Sequence, residues 1–159
     1  MKIRVIENAD NVKLAFAVRN FLIEMRVPKE GNAYAHVELD VMFDAYQEDR
    51  HIYYVFEQAS EILQGSEISP FKNGDPKVCE LQKIYFLPKA SGKGLGKDMI
   101  HSCLDFAKAN HFKQCYIETM PNMLDAQTLY KKVGFEYIQH PMGNTGHSSC
   151  PVWMTKSLK

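Results

Sequence analysis

Apolar residues along the chain change their period several times, and each change marks an element. KIRVIE, residues 2–7, reads as a first strand. From about Asp10 to Arg26, Leu14, Val18, Phe21, Leu22 and Met25 return at helical spacing until Val27-Pro28 ends the run. A second helix is expected over Ala33–Gln47, because Leu39, Met42, Phe43 and Tyr46 would share one face. IYYVFEQ (52–58) and EILQGSEIS (61–69) read as two strands joined by a short turn, and SPFKNGDPK as a loop. VCELQKIYFL (78–87) is the next strand, ended by Pro88. A helix then extends to about Asn110 with Met99, Ile100, Cys103, Leu104 and Ala107 on one face. QCYIETM (114–120) follows as a strand. Asp125–Val133 follows as a helix with Ala126, Leu129, Tyr130 and Val133 on one face and Gly134 as its stop. FEYIQH and PVWMTKSL close the chain as strands around a polar hairpin, GNTGHSS.

The order β-α-α-β-β-β-α-β-α-β-β predicts an α/β layered domain with a mixed sheet. The 159 residues suit one domain, and 45% apolar with 24% charged residues is the composition of an ordinary globular protein. Nineteen basic residues balance nineteen acidic ones, so no global field draws nucleic acid or an anionic membrane. This balance does not tell whether one cleft is acidic. The first residues lack the apolar core of a signal peptide, and no run reaches membrane-spanning length. Four scattered cysteines form no C-x-x-C pair, and the six histidines show no metal-ligand spacing. Reduced thiols in a cytoplasm are the expectation, and no metal is implied.

KASGKGLGKDM, residues 89–99, carries the chemistry. Gly92, Gly94 and Gly96 alternate between a strand and a helix, with Lys93, Leu95 and Lys97 among them. A dinucleotide fold needs G-x-G-x-x-G, and a nucleoside-triphosphate loop needs G-x-x-x-x-G-K-[ST]. The first spacing is absent. The second is one residue short, with Asp98 where a magnesium-binding hydroxyl belongs. What survives is an anion cradle: unhindered backbone N–H groups at a helix N-terminus, suited to a pyrophosphate that needs no magnesium. A tight strand-to-helix turn without a ligand is the alternative.

Strand ELQKIYFLP, loop SGKGLG, helix, strand and then A-x-x-L-Y-K-K-V-G-F closely resemble the Gcn5-related N-acetyltransferase (GNAT) superfamily. The resemblance implies a mixed, twisted sheet of about seven strands flanked by about four helices, with acetyl-CoA as acetyl donor. It places the pyrophosphate on residues 92–96, with Ser91 where the family usually has arginine or glutamine. Lys93 or Lys97 would supply the polar side chain that Ser91 lacks. Pantetheine would meet the main chain of Ile84 and Phe86, and Asn122 would reach the same arm. Tyr130 matches the family's general acid, against the alternative of an aromatic core residue. Glu80 matches a general base found in some members, against an exposed strand-end carboxylate; alternation puts it on one face with Gln82 and Ile84. Lys131 and Lys132 fit a solvated helix face better than the coenzyme's 3′-phosphate.

The hairpin concentrates Thr145, His147, Ser148, Ser149 and Cys150, and His147 is the candidate for the acceptor site, a surface hairpin tip being the alternative. The expected activity is transfer of acetyl to an amine of a small molecule or peptide, by direct attack in a ternary complex. A covalent Cys150 intermediate is disfavoured. A non-catalytic acyl-CoA-binding module on the same fold is the rival. The implied partners are acetyl-CoA and an amine, with no nucleic acid or membrane; a homodimer is an allowed assembly.

Overall fold

The computed structural model describes residues 2–30, 33–87, 92–146 and 149–159. Its strands are β1 (Lys2–Val5), β2 (Ile52–Gln58), β3 (Glu61–Pro70), β4 (Val78–Phe86), β5 (Gln114–Thr119), β6 (Glu136–Ile138) and β7 (Val152–Ser157). They form one sheet in the order β1-β2-β3-β4-β5-β7-β6. All neighbours are antiparallel except β4 and β5, whose parallel pairing needs a crossover. The crossover is α3 (Leu95–Ala109), which follows α1 (Asn11–Glu24) and a short α2 (Met42–Ala45) and precedes α4 (Leu124–Lys132). Between β2 and β3 the chain turns at Ala59 and Ser60, both left-handed with φ of 51° and 64°. That is the backbone hand a two-residue hairpin requires to match strand twist.

Two apolar layers enclose the sheet. On one face Ile100, Cys103, Leu104 and Ala107 of α3 pack with Tyr130 and Val133 on Ile68, Leu81, Ile117 and Met154. On the other, Leu14, Ala15 and Val18 of α1 pack with Leu39, Met42 and Tyr46 on Tyr53, Val55 and Tyr85. The helical and strand periods in the sequence are these two buried faces.

The helix expected over Ala33–Gln47 is not continuous. Its described part is a 3-10 turn at Ala33–Ala35, another at Val37–Asp40, and then α2. The apolar residues keep their burial, Leu39 and Met42 completely. The main chain breaks because tertiary ties compete with helix continuity. Glu38 reaches Lys83, Asp40 pairs with Arg19 at 2.6 Å, and the Phe43 N–H donates to Asn11 Oδ1 at 2.8 Å. Asn11 thus caps α2 from the first turn of α1. Asn11→Ala should cost about 1 kcal/mol of stability, measurable as a lower urea midpoint with an unchanged m-value.

Candidate active site

The site begins with a register change. Between Gly65↔Tyr85 and Glu67↔Gln82, β3 advances two residues while β4 advances three. The extra residue makes a bulge in which Lys83 has φ 48°, and Tyr53 Oη donates to the Lys83 carbonyl at 3.0 Å. A bulge bends its strand and reverses the alternation beyond it. Hence Leu81 packs under α3 and Tyr85 under α1, although both are odd-numbered. Ile84 also packs toward α3, so the expected common face of Glu80, Gln82 and Ile84 holds only up to the bulge.

The bend also separates β4 from β5. They pair only at Val78↔Gln114, Cys79↔Cys115 and Glu80↔Tyr116. Beyond Glu80 the two strands diverge, and main-chain groups on that edge of β4 have no ladder partner from β5. A small chamber of about 80 Å³ lies in the gap, lined by Leu81–Ile84, Ile117–Met120, Phe21, Met123, Tyr130 and Cys150 among others.

A larger cleft of about 790 Å³ adjoins the chamber, sharing Phe21 and Met123 with it. Gly92, Gly94, Leu95, Gly96, Lys97 and Phe86 form one side, and Asn122, Ala126 and Leu129 the other. The glycines divide their work. Gly92 and Gly94 are left-handed, at φ 77° and 74°, and a Cβ on either would meet nothing within 4 Å. Gly94 leads into α3, where the first-turn amides have no intrahelical acceptor and the helix dipole is positive. A Cβ on Gly96 would instead lie 2.8 Å from Leu129 and 3.0 Å from the Phe86 ring. Gly96 is there for packing, and the other two leave the cradle open. Lys97 lines the cleft; Lys93 is exposed beside it. Ser91 lies outside the described residues. Asn122 is on the wall, but its side-chain N–H₂ donates to the Met25 carbonyl at 2.6 Å and ties the β5–α4 loop to the end of α1.

Tyr130 belongs both to the core and to the chamber. It is 4% exposed, its ring meets Phe135 edge-on at 6.1 Å, and no hydrogen bond among the described residues occupies its hydroxyl. Burial raises its pKa well above the ordinary phenol value, so the proton stays on oxygen. Cys150 also lines the chamber, and burial, helped by Glu118, pushes its thiol up to about 11. A neutral thiol is a poor nucleophile.

Gln82 lines both the chamber and a second cleft of about 800 Å³ on the α1 face. Glu38, Glu48 and Glu80 line that cleft against a single lysine, Lys72. A locally acidic cleft therefore exists within a neutral chain. Glu80 is 2% exposed in the body of β4 and accepts from Gln82 Nε2 at 3.4 Å, so it is not an exposed strand-end carboxylate. Thr145 reaches the same cleft and donates to Glu118 at 2.6 Å, while the Met142 N–H donates to Tyr116 Oη at 3.2 Å. The hairpin thus lies against the sheet at these positions; His147 is outside the described residues.

One group of residues was missed from the sequence. Lys83 Nζ, wholly buried, donates to Glu38 at 2.5 Å and Tyr46 Oη at 2.7 Å, with Glu67 at 3.5 Å. The cluster fastens the 37–46 segment, one wall of the acidic cleft, to the bulge. Its signal was a lysine and a glutamate in the interior of central strands, Lys83 and Glu67, an unusual placement unless they meet.

Residues 19–135 match the family model for the acetyltransferase (GNAT) family. The chain belongs to that family. It is 36% identical over 150 residues to the uncharacterized N-acetyltransferase YjgM of Escherichia coli (strain K12), covering 94% of this chain and 90% of the relative. A GNAT-family acetyltransferase of Staphylococcus aureus Mu50 superposes with a TM-score of 0.87 at 14% identity, covering 99% of each chain. The structure of yncA from Salmonella typhimurium, which holds its cofactor acetyl-CoA, superposes with a TM-score of 0.79 at 18% identity, over 100% of this chain and 94% of the other. Among its described residues this GNAT acetyltransferase has the mixed seven-stranded sheet and four α-helices that the resemblance implied.

Burial raises Glu67 from 4.5 to about 8 although Lys83 pulls it down. The folded state therefore holds this proton more tightly than the unfolded chain. The resulting stabilisation is complete below the unfolded value and is lost as pH rises through the folded one. Glu67→Gln, neutral throughout, should remove a decline in unfolding free energy between roughly pH 5 and 8, read from urea midpoints across that range.

Proposed function

We propose that this GNAT acetyltransferase transfers the acetyl group of acetyl-CoA to an amine by direct attack within a ternary complex. The observation that carries it is the gap between β4 and β5, adjoining the glycine cradle at one end and lined by Tyr130 within. The diphosphate would sit on the amides around Gly92–Gly96, where the backbone is unobstructed and the dipole favourable. The pantetheine arm would follow the free edge of β4 past Phe86 and Ile84, giving its amides the ladder partners that β5 does not provide. The thioester would then reach the small chamber. The acetyl-CoA held by the similarly folded yncA supports this choice of donor.

The amine would enter from the acidic cleft, whose Glu48 and Glu80 favour a cationic acceptor, Glu38 being paired with Lys83. Glu80 would take the proton from the ammonium, and the neutral nitrogen would attack the thioester carbonyl. As the C–S bond breaks, Tyr130 would give its proton to the departing sulfur, and the second proton that the nitrogen sheds as the amide forms would pass to solvent, from which Tyr130 recovers its own. The buried phenol, which keeps its proton, fits a donor at this step. The kinship with YjgM, named an N-acetyltransferase, supports nitrogen as the acceptor atom.

Two substitutions separate binding from chemistry. Acetyl-CoA should raise the melting temperature of the wild type by mass action. In Gly94→Val the branched side chain stands over the cradle from a left-handed backbone, so the shift should disappear. The variant itself should lose about 1–3 kcal/mol to strain. A persisting shift would mean that the phosphates bind elsewhere. Tyr130→Phe keeps the ring but removes the proton, so turnover should fall by roughly 10²–10⁴ while acetyl-CoA binding is retained. Free-thiol release across a panel of amines, polyamines, amino acids and peptides measures this. Undiminished turnover would leave Tyr130 as core packing.

A further inference from the structure

Given the donor site proposed above, we infer that Gln64, in the interior of β3, is a contact for the diphosphate of the bound thioester donor. Gln64 is 1% exposed, yet it lines the 790 Å³ cleft together with Phe86, Gly92, Gly94 and Gly96. Its Oε1 is buried with no hydrogen-bond partner. A buried amide left unmatched is costly, and a methionine would fill a similar volume without that cost. Among the described residues the amide has no hydrogen-bond partner.

Its place in the fold selects the part of the ligand. The cross-strand neighbour of Gln64 is Phe86, and the Phe86 ring lies against Gly96 in the first turn of α3. Gln64 is therefore on the floor beneath the glycine cradle. It does not line the chamber that holds Tyr130, so it addresses the diphosphate rather than the thioester. The loop offers backbone amides and the cationic Lys97 to an anion. Gln64 adds a neutral side-chain donor from the sheet: Oε1 is the enclosed end of its amide, which leaves the N–H₂ as the end that would face the phosphate oxygens. Anchored on a strand, this donor is held more rigidly than one carried by the loop.

The experiment is isothermal titration of wild type, Gln64→Met and Gln64→Glu with acetyl-CoA and with S-acetylpantetheine, which lacks the diphosphate. Melting of the unliganded proteins accompanies it. Gln64→Met should weaken acetyl-CoA binding about tenfold while leaving S-acetylpantetheine affinity unchanged. Its unliganded melting temperature should hold or rise, the opposite of what loss of a structural hydrogen bond produces. Gln64→Glu should weaken acetyl-CoA binding further, because a carboxylate would face the diphosphate. Wild-type affinity in Gln64→Met overturns the inference, as does an equal loss with S-acetylpantetheine. A wild type that binds no acetyl-CoA overturns the donor site as well, so the two failures are distinguishable.

Discussion

One extra residue in β4 is the constraint on which the site depends. A regular β4 would stay in register with β3 and could continue its parallel ladder with β5, leaving no gap between them. The bulge at Lys83 bends the strand, turns successive side chains toward one face, and ends the β4–β5 pairing at Glu80↔Tyr116. The chamber, the free edge of β4 and the passage past Gln82 to the acidic cleft all follow from that bend.

Holding the bend requires burying charge. Lys83 enters the interior, where a lone ammonium would be prohibitive, and Glu38, Glu67 and Tyr46 surround it. The same ties break the helix that the 33–47 periodicity suggests and turn it into a wall of the acidic cleft. Polar groups without partners collect around this region, among them Glu67 Oε1, Gln64 Oε1 and Tyr85 Oη. A fold optimised for stability alone would replace them with apolar groups.

Much of this was readable along the chain. Helical spacing at Met99, Ile100, Cys103, Leu104 and Ala107 is the α3 face, and all five are buried. The glycine alternation located the anion cradle but not its division of labour. Only the packing of Leu129 and Phe86 shows that Gly96 serves the helix interface, while Gly92 and Gly94 leave open backbone. The A-x-x-L-Y segment pointed to Tyr130, and the structure places it both in the core and among the residues that line the chamber.

By itself, then, the sequence determined the strands and helices with strong periodicity and the family, through motifs that are local in the chain. Tertiary structure alone decided which face Ile84 takes, how far β4 and β5 pair, that Glu80 is buried, and that Glu38, Glu67 and Lys83 meet. The physical reason is sequence distance. Periodicity and capping act over a few residues, whereas a bulge is a mismatch between two strands and a buried charge is tolerable only through partners brought from afar. Glu38 and Lys83 are 45 residues apart in the chain, and only the folded sheet brings them within 2.5 Å.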